Sequence, residues 1–455
     1  MEEIKGTLSA EEMQLAETCL EKARRLGADK IRITLNKSLM ELFGTLNGEL
    51  DKVSHCLDRS MSVCIFADGR FGSFSTNRLV ENELDDFLAR SIATVRMLAE
   101  DPCRDLPDPS RTAKEAVEGL EMGLFDKSYP ELTSDRRLEM AMDASIFKKH
   151  EGKDLISEEG EYSDYVFDTL VVDSNGLRCR HTESSFEYGV EMTVKDPQGN
   201  RFSGYWWDSS PRLADLQISS CGETALARAR AQVGPIKVAG GEYTMVVDSE
   251  NSSKLVNPLI NALGAFALQQ KNSFLLDTLG KKVFPEWMNL MDIPHTIGRT
   301  GSRLFDSEGV ATKETPVIEK GVVKEYFVNT YMSRKMNIAP TIEDVTRPVL
   351  LPCVAPGLER PLVMNRNDIM KLVGDGILVT GFNGGNSNSA TGDFSFGIDG
   401  FLFKDGKIVH PVREMLITGN LITLWKNLLA AGEDARPCKS RLIPTLAFEK
   451  VYFSA

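Results

Sequence analysis

Two hydrophobic periods alternate along the first half of the chain. Ser9-Ala10-Glu11-Glu12 has the spacing of a capping box, Met13, Ala16, Leu20 and Ala23 then share one helical face, and Gly27 is placed to close that helix. From Ile31 the period drops to two, because Ile31, Ile33 and Leu35 alternate with polar residues as a half-buried strand does. Strand-like runs continue to Thr76, and Asp68-Gly69 between residues 61–67 and 70–76 predicts a two-residue hairpin turn. Leu84, Phe87, Leu88, Val95 and Leu98 mark a second helix, which Pro102, Pro107 and Pro109 end in a linker.

The same order then returns. A helix is expected over 134–149, strands over 166–172 and 186–194, and a turn at Asp196-Pro197-Gln198-Gly199. A strand over 202–207 and a helix over 211–232 complete the set. Gly69-Arg70-Phe71-Gly72-Ser73-Phe74 is echoed by Asn200-Arg201-Phe202-Ser203-Gly204-Tyr205. Residues 1–236 therefore read as a mixed α/β region of two helix–sheet–helix units, 1–110 and 125–236. Gly234-Pro235 and Gly240-Gly241 mark the next boundary. Residues 240–455 begin with Tyr243, Met245 and Val247 and are mainly strands and turns, with helices expected over 252–270 and 420–429 and a last strand over 443–453. The fold class is α+β with a β-rich C-terminal domain. A length of 455 residues agrees with more than one domain, since single cores stop growing near ~250–300 residues.

Composition narrows the function classes. The apolar share of 42% and charged share of 26% are ordinary for a globular protein, and the net charge of −13 with no Lys/Arg-rich run argues against a nucleic-acid surface. Eight scattered cysteines without a C-x-x-C read as reduced thiols. Glu2 and Glu3 lead into an amphipathic segment rather than an apolar signal sequence, and no run reaches the ~18 apolar residues of a membrane span. A cytoplasmic protein without membrane contact is the expectation.

Few familiar chemistries fit. A zincin needs two histidines one helical turn apart, and the five here (His55, His150, His181, His295, His410) contain no such pair. His150-Glu151 starts like one but continues Gly152-Lys153-Asp154. His295 and His410 are candidate bases without a G-x-S-x-G elbow nearby. Asp393 and Asp399 could pair as carboxylates or serve Asx turns, and no phosphate-binding glycine motif is present. Trp206-Trp207 reads as core plus sheet edge. Residues 381–400 are dense in glycine and small polar residues, and strand alternation resumes at Phe401 and Phe403 before an Asp405-Gly406 turn, which suits an ordered functional loop between strands that another chain or ligand can approach.

That stretch also carries a resemblance. Thr391-Gly392-Asp393-Phe394-Ser395 with Gly397, then Pro411-Val412 and Ile417-Thr418-Gly419-Asn420-Leu421, resembles the C-terminal signature of the TldD/PmbA family, known as modulators of DNA gyrase and metallopeptidases. Lys271-Asn272-Ser273-Phe274-Leu275-Leu276-Asp277, with Gly301-Ser302-Arg303, Phe305-Asp306, Glu308-Gly309-Val310 and Glu319-Lys320-Gly321, is similar to its PmbA (TldE) branch. In the TldD branch the metal-binding histidines sit on a helix as H-E-x-x-x-H. The corresponding residues here, 254–262, hold neither His nor Glu, and Cys438 is no convincing counterpart of the family's third ligand. The resemblance thus implies a subunit of a TldD-type metallopeptidase complex, a hetero- or homo-dimer or larger, acting on unfolded peptides. The partner would supply the zinc, and this chain would bind no cofactor. Asn383, Asn386, Thr391, Gly392, Asp393, Phe394 and Ser395 are the expected peptide-channel or subunit-contact residues. The gyrase link would run through processing of a gyrase-targeting peptide toxin or its antitoxin. Two rival readings stay open: a homodimeric peptide- or protein-binding (gyrase-modulating) protein without catalysis, and a stand-alone hydrolase with an unrecognised site.

Overall fold

The computed structural model describes residues 5–150 and 152–455, so the acidic Glu2-Glu3 start and Glu151 of the His150-Glu151 pair lie outside the described residues. The chain divides into two compact units, the first made of residues 1–230, 295–312 and 329–343 and the second of the remainder.

In the first unit, α1 (Ala10–Arg25) has the anticipated capping box, with Ser9 accepting from the Glu12 amide and Glu12 from the Ser9 amide. Gly27 ends it at φ +96°. Then come β1 (Lys30–Leu46), β2 (Glu49–Ala67), β3 (Arg70–Thr76) and α2 (Glu81–Val95). Asp68 and Gly69 sit at φ +52° and +70°, the left-handed pair that a tight hairpin turn needs. The second round is α3 (Ser134–Asp143), β4 (Leu155–Asp173), β5 (Arg178–Lys195), β6 (Arg201–Ser210) and α4 (Cys221–Ala231). The two rounds form one sheet in the order β3-β2-β1-β4-β5-β6, joined by antiparallel pairing of β1 with β4 from Arg32↔Asp173 to Leu46↔Glu159. The helices α1 and α2 cover Ile31, Ile33, Val63 and Ile65; α3 and α4 cover Tyr162, Tyr188, Val190 and Met192. The Trp206-Trp207 pair lies on the edge strand β6, both half-buried.

Several expectations need correction here. Leu98 lies beyond α2 and is exposed. The helix expected over 134–149 stops at Asp143, because the Glu158 carboxylate takes the amides of Ile146 and Phe147 (2.9 and 3.0 Å). The helix expected from 211 starts at Cys221, since Asp126 accepts from the Leu213 amide and Asp208 from that of Gln217. The proline-marked stretch 102–109 carries no helix or strand, but the residues that follow it join the sheet. Ala116, Gly119 and Leu124 accept from the amides of Arg180, Thr182 and Ser184, completing the edge of β5 that β6 leaves open.

The second unit starts with β7 (Gly241–Val247), α5 (Ser253–Ala262) and α6 (Ala265–Gln269). The single helix expected over 252–270 is split at Gly264, whose backbone is extended. A small sheet, β10-β9-β8-β11, joins β8 (Leu290–Asp292), β9 (Thr315–Glu319), β10 (Val322–Val323) and β11 (Pro348–Leu350); α7 (Thr330–Met336) belongs to the first unit. After β12 (Cys353–Val354) and α8 (Arg366–Val373) come β13 (Gly376–Ser387), β14 (Asp393–Lys404), β15 (Lys407–Asn420), α9 (Leu421–Lys426), β16 (Leu428–Ala431) and β17 (Leu446–Ser454). β7-β13-β14-β15-β17 close on themselves through β17–β7 pairing, a five-stranded barrel that β16 and β12 extend.

The stretch read as a loop, 381–400, is therefore mostly strand, broken by a turn at 388–392, while Phe401 and Phe403 lie in a strand that turns at Asp405-Gly406 as expected. Its glycines permit backbone approaches that a side chain would block. A Cβ on Gly385 would lie 1.9 Å from the Ser395 carbonyl oxygen, and one on Gly400 2.1 Å from that of Leu378. Register shifts at Val379/Gly381 and Phe382/Gly384 bend β13 as it leaves the barrel. No helix among the described residues is long and apolar enough to cross a membrane.

Candidate functional site

Helix α5 is two-faced. Leu255, Val256, Leu259, Ile260 and Ala262 are buried, while Lys254, Asn257, Pro258 and Asn261 form a stripe at helical spacing. The Trp425 indole donates to the Leu255 carbonyl (3.3 Å), and Arg441 donates to the Asn257 side chain. Pro258 has no N–H for the carbonyl of Lys254, four residues earlier, which keeps one helical acceptor unused by the helix itself.

The stripe faces a cleft of about 380 Å³, closed by α6, residues 272–274 and the end of β13. Asn272, Gln270, Asn386, Ser387 and Ser389 bring amides and hydroxyls; Phe266, Phe274 and Phe396 bring rings. Lys254 is the one ionisable residue among those lining it, with its ammonium 5.0 Å from the centre of the Phe396 ring. β13 pairs with β7 only across 377–379, so this ladder stops well before residues 384–387, at the cleft.

The turn beside the cleft is held from three sides. Asn388 accepts from the amides of Ala390 and Thr391, and Phe274 donates its amide to Ser389 (2.9 Å). Gly392, at φ +80°, packs against Phe274, whose Cγ is 3.1 Å from where a Cβ would be. Asp393 accepts from the Asn420 amide (3.0 Å) and the Thr391 hydroxyl (2.7 Å), bonds that hold its carboxyl below the usual range, Asn420 foremost. Asn420 also donates to the Thr391 carbonyl and accepts from the Ile422 amide, capping α9. The T-G-D and G-N residues thus interlock turn, strand and helix.

Of the residues singled out in sequence, Asn386 lines the cleft, and Thr391, Gly392 and Asp393 form the interlock beside it. Asn383 instead holds Asp399 (3.0 Å), Phe394 is buried on Phe396, and Ser395 is exposed, its carbonyl against Gly385. Asp393 and Asp399 are six residues apart along one strand, about 20 Å, and do not form a carboxylate pair. His410 is exposed on β15, and His295 bonds Thr312 in the first unit (2.9 Å). Neither joins the cleft. The remaining histidines have local partners: His55 with Glu41, His150 with Arg230, and buried His181 with Glu183. Among the described residues no three His, Cys, Asp or Glu side chains converge in a metal-binding arrangement. The cleft's ammonium, amides and hydroxyls do not fit a zinc ion, which takes imidazole, thiolate and carboxylate ligands. Sequence reading noted 254–262 only for what it lacks. Its positive signal was the polar stripe 254, 257, 261 on an otherwise apolar helix.

Comparison with known proteins places the whole chain in a family. Residues 240–455 match the PmbA/TldA metallopeptidase C-terminal domain and residues 127–233 the central domain. A Bacteroides thetaiotaomicron protein called a modulator of DNA gyrase has a crystal structure similar to this chain, with 39% identity, TM-score 0.91, and 98% of this chain and 99% of that one covered. TldE from Thermococcus kodakarensis shares the fold at 17% identity, with a TM-score of 0.82 over 97% of this chain and 100% of that one. Metalloprotease PmbA of Escherichia coli O157:H7 is 24% identical over 435 residues, 92% of each chain. The chain belongs to the PmbA/TldD metallopeptidase family.

Proposed function

We propose that this chain is a PmbA/TldE-like subunit of a TldD-type metallopeptidase complex that acts in the cytoplasm on unfolded peptides. The partner brings the zinc and the general base; this chain brings peptide-binding surface. The observation that carries the reading is the α5 cleft. It lies on the helix where, by the resemblance, the TldD branch has H-E-x-x-x-H, and it is lined by amides, rings and one lysine. Such a lining suits an extended peptide, whose main-chain groups can bond to Asn257, Asn261, Asn272 and the end of β13 as an added strand does. Phe266, exposed at 63%, and Phe274 supply apolar contact for side chains. The net charge of −13 favours a peptide route to gyrase over DNA contact.

The test is to mix the purified chain with a TldD-type chain and follow cleavage of a fluorogenic unfolded peptide. Cleavage should need both chains, with zinc held by the partner. Lys254→Gln should raise KM about tenfold, the loss of one charge-assisted hydrogen bond, while the two chains still co-elute. Cleavage by this chain alone, or no gain on mixing, would overturn the reading.

A further inference from the structure

We propose that the α5 cleft reads the carboxyl end of its peptide, with Lys254 and Asn257 holding the terminal carboxylate. This rests on the peptide reading above and adds which end of the peptide enters and what recognises it.

The first observation is charge. No carboxylate lines the cleft, and the Lys254 ammonium has none within ion-pair distance among the described residues. In a chain with 66 Asp and Glu against 53 Lys and Arg, an acid-free cleft around an unpaired cation runs against the overall charge. Lys254 also stands in the first turn of α5, where no acidic residue accompanies it and the helix's own positive end disfavours a cation. The Phe396 ring, 5.0 Å away, attracts the ammonium without neutralising it. An anion arriving from solvent would complete this site.

The second observation is the set of hydrogen-bonding groups. Arg441 has donors only, so Asn257 turns its side-chain oxygen to Arg441 and keeps its NH2 group for the cleft. Asn257 follows Lys254 by three residues on the same helical face, so ammonium and amide are neighbours that can share one carboxylate. Further along, the side-chain amides of Asn261, Gln270, Asn272 and Asn386 make no hydrogen bond among the described residues. Each can both donate and accept, as the N–H and C=O groups of an extended chain require. The lining is therefore graded, with donors alone at Lys254 and Asn257 and mixed carboxamides beyond. From Lys254 to Asn261 the helix rises about 10 Å, the length of about three extended residues. Lys254, Asn257 and Asn261 lie along one stripe, so the ammonium stands on the line of the bound main chain rather than beside it. That position suits the carboxylate that ends a chain better than one carried on an Asp or Glu side chain.

The experiment is fluorescence anisotropy of short unstructured peptides without Asp or Glu, carrying a neutral N-terminal fluorophore and titrated with the intact chain. The free-acid peptide should bind about tenfold more tightly than the same peptide with a C-terminal amide, the loss expected for one charge-assisted hydrogen bond. Lys254→Gln should abolish that preference by weakening the acid alone, and Lys254→Arg should retain it. An amidated peptide with one internal Glu should bind like the plain amide. Equal binding of acid and amide, or a preference that survives Lys254→Gln, overturns the proposal and leaves the peptide reading in place. Full affinity for the amidated Glu peptide also overturns it, because the cleft then reads side-chain carboxylates. Binding of neither acid nor amide overturns both this proposal and the cleft's role as a peptide site.

Discussion

Gly385→Ala tests the claim that the residues after the barrel form a tightly crossed hairpin bordering the cleft. The new Cβ would stand 1.9 Å from the Ser395 oxygen, against a practical minimum of 3.0 Å, so β13 and β14 must part by more than an ångström. That separation breaks the ladder at Gly385↔Phe396 and Asn386↔Ser395. Two ladder hydrogen bonds are worth about 1 kcal/mol each. An alanine held at φ +84° costs about 1 kcal/mol more. The total is about 3 kcal/mol, or about a hundredfold in the opening equilibrium. Gly381→Ala is the control, since its Cβ would meet Asp399 at 3.6 Å, an ordinary contact. Hydrogen–deuterium exchange of fragments spanning β13 and β14 should show faster amide exchange by about two decades in Gly385→Ala and almost none in Gly381→Ala. Equal exchange in the two variants would refute the packing and with it the placement of Asn386 and Ser387 on the cleft wall.

Two further predictions concern the first unit. Asp164 is buried and accepts from Arg137 (2.5 and 3.1 Å), Tyr129 (2.6 Å) and Tyr162 (3.0 Å); Asp164→Ala strands a guanidinium and two phenols, and urea unfolding should show a loss of about 3–5 kcal/mol. A loss under 1 kcal/mol would mean the network carries no load. Asp306 has its carboxyl pushed from an ordinary 3.8 up to about 6, chiefly by desolvation, despite amide donors at Glu343, Val310 and Glu308. A carboxyl raised on folding binds its proton more tightly in the native state, so its contribution is full below pH ~4 and is lost as pH rises through ~6, at most about 3 kcal/mol. The stability difference between wild type and Asp306→Asn should therefore move against wild type between pH 4 and 6.5; a difference that stays flat across that window excludes Asp306 as the titrating group.

What the sequence discloses here depends on range. The Ser9 capping box and the Asp68-Gly69 turn were legible because each is settled by residues at most three positions apart. The helix ends near Asp143 and Cys221 were not. They are decided by the carboxylates of Glu158, Asp126 and Asp208, which arrive from other strands and loops to take the amides. Glycine density between 381 and 400 was taken as a loop signal, but the glycines serve crossings with Ser395 and Leu378 that only the barrel creates. At the cleft, the absence of His and Glu from 254–262 was readable. That Asn257 and Asn261 would face Asn272 and Asn386 required knowing that α5 lies against the end of β13.

The first unit is not contiguous in sequence, and that bears on how it is made. Its sheet is complete at Ser210, yet the cluster of Ala113, Ala116, Val171, Leu177 and Cys179 is filled by Phe305, and Leu177 packs against Gly309. During synthesis at about 5–20 residues per second, roughly 5–20 s pass between the last strand and the segment that covers this patch. For that interval a finished sheet carries an open apolar hollow while the second unit emerges behind it. Nascent-chain chaperones that hold apolar surface have their longest opportunity there.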